Sequence, residues 1–267
     1  MNMKVTDESN KVALQMVLTE TRPNRLVEVQ DAKYTITDIL KRYGPLKAYH
    51  GDMIDYEFNA IWPGKDNFLG RFSTQYTPKI IRYINEIRSD LTNFMVTANE
   101  DLRALCAIPL LLPTPNYGKG KGCKGKGKSK VLLSNSKIVP KCNKPHPDLI
   151  KFISDSEDLV AQTTLEGASA QIQPFLICAQ ASNEDFKGHF FIRADDIIIS
   201  LRKDPIHAFD ILIKFHYILN VKFAPSLENF YNFIVACIMD IEKPRPICDN
   251  LDIILQNSFA TTDIIEV

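Results

Sequence analysis

Apolar residues recur every three or four positions through much of the first hundred residues, then gather into short β-branched or aromatic runs after Gly167. The first spacing places them on one face of a helix; the second suits strands. From Thr77, with Pro78 in the first turn, Ile80, Ile81, Ile84, Ile87, Leu91 and Phe94 predict a helix. Before it, Thr35 to Tyr43 presents Ile36, Ile39, Leu40 and Tyr43 on one side and stops at Gly44-Pro45. Asp52 stands where it would cap a helix burying Ile54, Phe58, Ile61 and Trp62. Asn99 precedes another, built on Leu102, Leu105, Cys106 and Ile108 and ending near Pro109. Residues 12 to 29 are apolar only in patches, split by Thr21-Arg22-Pro23-Asn24, and predict an extended lead-in.

Downstream, His146-Pro147 opens a helix using Leu149, Ile150 and Phe152, and Ser156-Glu157-Asp158 offers a further helix start. Phe175-Leu176-Ile177-Cys178, His189-Phe190-Phe191-Ile192-Arg193 and Ile197-Ile198-Ile199-Ser200 read as a three-stranded antiparallel meander. Asp204-Pro205 begins a helix with Ile206, Phe209, Leu212, Ile213, His216 and Leu219. Pro225 begins another with Leu227, Phe230, Ile234, Cys237, Ile238 and Ile241. The expected fold is α+β: a mainly helical N-terminal part and a small antiparallel three-stranded sheet packed by a C-terminal helical hairpin. The expected division is a lead-in at 1–34, a helical region at 35–115, a flexible Lys/Gly-rich loop at 116–145, an α+β domain at 146–245 and a tail at 246–267.

With 267 residues, 45% of them hydrophobic, the chain can bury a core without disulfide or metal staples. The balance of 32 basic against 32 acidic residues hides a segregation. Lys119, Lys121, Lys124, Lys126, Lys128, Lys130, Lys137, Lys141 and Lys144 share a stretch without an acid, which carries +9 and leaves −9 on the remainder. Glycine alternating with lysine disfavours packing, so this stretch reads as a mobile tether. No apolar run reaches the roughly 20 residues that span a bilayer, and the start lacks a signal-like apolar region. No membrane association is expected, and the expected compartment is intracellular, cytoplasmic or nuclear. Cys106, Cys123, Cys142, Cys178, Cys237 and Cys248 form no C-x-x-C pair and read as reduced thiols.

Gly122 to Ser129 satisfies the phosphate-loop pattern, with Lys128 and Ser129 as its nucleotide-binding pair. That chemistry needs a strand before it and a helix after it, whereas Pro113-Thr114-Pro115 precedes it; Lys/Gly alternation produces the pattern by itself. Cys142 and His146 have ligand-like spacing, but a structural zinc needs four ligands and the lysines repel a cation. His207 and His216 fall on opposite sides of one helix, and Asp195-Asp196 suits a polar turn better than a catalytic dyad. No metal, cofactor or catalytic residue is assigned. Lys119, Lys121, Lys124, Lys126, Lys128 and Lys130 could hold RNA or DNA weakly and nonspecifically through phosphate charge, without interleaved aromatics for base stacking.

The order of features resembles a group of uncharacterised animal proteins, common in insects and fish, some of which resemble relics of mobile elements. The matching pieces run from Ile39-Leu40-Lys41-Arg42-Tyr43-Gly44-Pro45 and Trp62-Pro63-Gly64-Lys65 to Gln173-Pro174-Phe175-Leu176-Ile177-Cys178 and Asn229-Phe230-Tyr231-Asn232-Phe233-Ile234, within residues 35–241. The resemblance implies a shared fold and transfers no activity or site residue. The favoured reading is a non-catalytic protein-interaction or regulatory protein with an unidentified protein partner, contacted near Tyr217 and Tyr231. The alternatives are nucleic-acid association through the lysine tract and a nucleotide-dependent enzyme.

Overall fold

The computed structural model describes residues 8–31, 33–96, 99–113, 144–154, 173–180 and 188–257. The architecture is α+β and mostly helical, around one mixed four-stranded sheet. No helix among the described residues is long and apolar enough to cross a membrane. The lysine-rich stretch from Lys119 to Lys130, with Ser129, lies outside the described residues, as does the helix start expected at Ser156.

The expected extended lead-in is instead an 18-residue helix, α1 (Lys11–Glu28). Its inward residues Leu14, Leu18 and Arg25 keep helical spacing, but the last is an arginine, so a purely apolar count misses the period. Pro23 lies inside α1 on the exposed side. Its ring cannot donate to the Thr19 carbonyl, a loss that water can absorb on that face. After a turn comes α2 (Ile36–Arg42), opened by a reciprocal capping box between Thr35 and Asp38. Next is α3 (Asp52–Ile61), which follows Tyr49, His50 and Gly51, three successive residues with positive φ. Asp52 does not cap it; its carboxylate pairs with Lys11 and Arg202 and ties α1 to the segment after the sheet.

Helix α4 (Phe68–Arg71) continues through a π-helical turn, Phe72–Tyr76, into α5 (Thr77–Glu86). Ile80, Ile81 and Ile84 are buried as the spacing predicts, whereas Ile87 is exposed and Leu91 belongs to a separate turn. Helix α6 (Glu100–Leu111) is capped by Asn99, which accepts from the Leu102 amide, and it runs past Pro109.

The expected meander is present as β2 (Phe175–Gln180), β3 (His189–Ala194) and β4 (Ile197–Ser200), with antiparallel pairing. A fourth strand, β1 (Ile150–Ser154), joins β2 in parallel, so the sheet is mixed rather than wholly antiparallel. It replaces the helix expected after Pro147. Ile150 and Ile153 are buried in it, as is Leu149 just before it, but five residues are too few for their spacing to separate helix from strand. Alternation sends Leu176, Cys178, Phe190 and Ile192 into the main core and Phe175, Ile177 and Ala179 into a small cluster on the opposite face.

Against the sheet lies α7 (Pro205–Ile218), capped by Asp204, which accepts from the amides of Ile206 and His207. Next comes α8 (Glu228–Asn232), continued by a π-helical segment, Phe233–Ile238. Residues expected as a tail form α9 (Pro246–Asn257), which buries Cys248, Leu251 and Leu255. One core cluster extends from Leu14 to Leu255, so the helical region and the sheet share a single interior. At its centre Phe209 contacts the rings of Phe68, Phe230 and Tyr231.

Gly51 approaches this core closely. Its φ is +97°, and a Cβ there would lie 2.9 Å from Cγ2 of Ile211. Gly51→Ala is expected to lower stability by about 2–4 kcal/mol, read by urea unfolding, because strain and overlap add. An unchanged midpoint would contradict the geometry.

Candidate functional site

A buried polar cluster grows out of α7. Asp210 and Lys214 are one turn apart on a helix otherwise apolar on nearly every side. Both side chains are 1% exposed. The Lys214 ammonium reaches Asp210 Oδ2 at 2.6 Å, Asp55 Oδ1 from α3 at 2.5 Å, and Asp66 Oδ1 from the loop before α4 at 2.6 Å. Asn59 Nδ2 braces the same group, contacting Asp55 Oδ1 and Asp66 Oδ2. Phe58 lies beneath the ammonium, 5.6 Å from its ring centroid.

Among the described residues, Asp55, Asp66 and Asp210 are a set of carboxylates close enough to hold a metal, with ligand atoms within 4.8 Å of one another. The ammonium already occupies the point on which they converge, and its three N–H groups match three acceptors. A hard divalent cation would have to evict Lys214. The cluster therefore acts as an internal clasp joining α3, α7 and the loop between α3 and α4.

Its protonation follows from this geometry. Burial pushes the Asp210 carboxyl up to about 7, against the pull of Lys214 and with the push of Asp66 and Asp55. Burial also opposes charge on Lys214, but the carboxylates outweigh it and raise its pKa. For Asp66, burial is outweighed by the hydrogen bond and charge of Lys214, so its pKa falls. His207, one turn before Asp210, has its pKa lowered by burial and by Arg202.

A second buried charge set fastens α1. Arg25 Nη2 meets Glu57 Oε1 of α3 at 2.5 Å, and Arg22 Nε meets the same oxygen at 3.0 Å. Glu57 is fully buried and Arg25 nearly so; Arg25 also donates to the Leu18 carbonyl and lies over the Tyr43 ring.

Three thiols are held in their neutral form. Burial pushes the thiols of Cys237 and Cys248 up to about 12 and about 11, and raises that of Cys106, which keeps all three protonated at neutral pH. Ser226 donates to Asp148, and the Asp148 amide to His146 Nδ1. Asp148 thus sits in the middle of the three, where a serine-activating base would need the histidine. The cleft lined by His146, Ser226, Asn229 and Pro113 has a volume of about 40 Å³, room for a water or two rather than a substrate.

Two contact residues named from sequence fare differently. Tyr231 is fully buried between Phe223, His216 and Phe209, so its side chain offers a partner no contact surface. Tyr217 is half-buried, packed on Trp62 and Phe58, with its hydroxyl donated to Glu242. An exposed apolar surface occurs instead on α1. Val12, Met16 and Val27 are 64%, 61% and 70% exposed and lie with Pro23 along one stripe. At about 100° per residue this stripe is opposite the face carrying Leu14, Leu18 and Arg25.

His216 provides a pH test. Burial pushes it down to about 4, outweighing the carbonyls of Val221 and Pro174. The unfolded imidazole takes a proton below about 6.5, so this contribution is present above that pH and is lost as pH falls toward 4. Asp210 works oppositely. Its folded pKa exceeds the unfolded value of about 3.9, so its contribution is present at low pH and is lost as pH rises toward 7. Between pH 4 and 6.5 the two slopes offset each other. Thermal unfolding of Asp210→Asn is therefore expected to rise more steeply with pH across that interval than the wild type, and His216→Gln less steeply. Parallel profiles for all three proteins would contradict the assignment.

Comparison with family models, curated proteins and solved structures gives no match to this chain.

Proposed function

We propose that this chain is a non-catalytic protein-interaction module whose docking element is α1. The observation that carries this reading is the apolar stripe turned to solvent on a helix that is anchored from behind by buried ion pairs. Scattered exposed apolar residues are ordinary, but a row along one helix, opposite its own packed face, suits a groove or another helix. The clusters described above fit it too, since each charged group in them is engaged with a partner inside the fold.

The test is affinity capture with the full chain, with and without nuclease, comparing wild type with Met16→Glu/Val27→Glu. A protein partner retained after nuclease and lost with the double substitution is the expected result. Association abolished by nuclease and unaffected by the α1 substitutions would move the function to Lys119–Lys130 and sink the α1 reading.

A further inference from the structure

We infer that the partner fitted by the α1 stripe is a second copy of the same chain, packed antiparallel about a two-fold axis between Thr19 and Glu20. This deepens the reading of α1 as a docking element and rests on it. The stripe residues Val12, Met16, Pro23 and Val27 are separated by gaps of four, seven and four, which read alike from either end. An antiparallel copy therefore sets Val12 against Val27, Met16 against Pro23, and Thr19 against Glu20. The apolar positions then face apolar positions, with Thr19 and Glu20 meeting at the axis, the self-complementarity that an isologous interface requires. The arrangement also opposes the two helix dipoles, which a parallel pair would align.

Charge along the seam is sparse. Within the stripe and its immediate flank (Val12, Ala13, Met16, Thr19, Glu20, Pro23, Asn24 and Val27) the one ionisable side chain is Glu20. A partner of opposite charge thus has little to recognise, whereas an apolar copy does. The Glu20 side chains of the two copies approach near the axis, so their repulsion weakens the pair. An interface centred on one helix about 27 Å long belongs at the small end of the range, near or below the roughly 1,200 Å² typical of stable complexes, so association in the micromolar range is expected.

Sedimentation velocity on the full chain over a micromolar concentration series tests this. The wild type is expected to move from monomer to dimer. Met16→Glu is expected to weaken the dimer about tenfold or more, and Glu20→Gln to strengthen it, with circular dichroism unchanged because these side chains project outward. Met16→Cys mixed with Pro23→Cys is expected to form a disulfide-linked heterodimer well above the yield from either variant alone, a readout specific to the antiparallel register. A wild type that stays monomeric throughout overturns the self-pairing, while nuclease-resistant capture abolished by the α1 substitutions would still uphold α1 as a docking element for another protein. A dimer that persists in Met16→Glu, or equal cross-linking in the separate and mixed samples, overturns the proposed seam.

Discussion

Replacing Lys214 by methionine is expected to destabilise the protein by about 3–5 kcal/mol at pH 8, and by clearly less at pH 6. The substitution keeps a long apolar stem but removes the cation that three carboxylates share. Asp55 and Asp66 retain partial access to water, with side chains 39% and 34% exposed, whereas Asp210 is left charged and buried. Its carboxyl, already pushed up to about 7, avoids that penalty by taking a proton, which is easier at pH 6 than at pH 8. Chemical denaturation at the two pH values reads the difference. Adding Asp210→Asn should recover most of the loss at pH 8. A Lys214→Met protein with wild-type stability at pH 8 would show that the clasp contributes nothing.

Glu57→Gln is expected to cost about 3–5 kcal/mol by a related route with the charges reversed. Glutamine preserves the shape but leaves Arg25 buried without its counter-charge, and Arg22 without its carboxylate partner on α3. The damage should appear first in α1, as faster hydrogen exchange there than in α7, since those pairs fasten α1 to α3. The double substitution Arg25→Leu/Glu57→Leu removes both charges and should be far milder than the single one. Uniform exchange across the molecule would contradict a local role for this pair.

The sequence revealed the elements whose signals are local. The helices expected after Thr35, Asn99 and Asp204 are present, as are the meander and a helical segment after Pro225, which opens with a 3-10 turn. What escaped depended on distant partners. The period of α1 was masked because its third inward position is Arg25, acceptable there only because Glu57 arrives from another helix. Strand β1 depends on β2, a parallel neighbour about 25 residues away. The carboxylate clasp had one local sign: Asp210 and Lys214, four residues apart within an apolar helix, have no reason to be there unless paired. Its other members, Asp55 and Asp66, come from the far side of the chain and carry no marker.

The shared interior has a consequence for biogenesis. Tyr76 and α5 pack against α9, and the Tyr76 hydroxyl lies 2.9 Å from both Cys237 O and Asp252 Oδ1. Residues made early must therefore wait for Leu251 and Leu255 before their apolar surface is covered. A nascent chain halted before α9 would expose that surface, making it a natural client for holdase chaperones and prone to clumping if synthesis stalls.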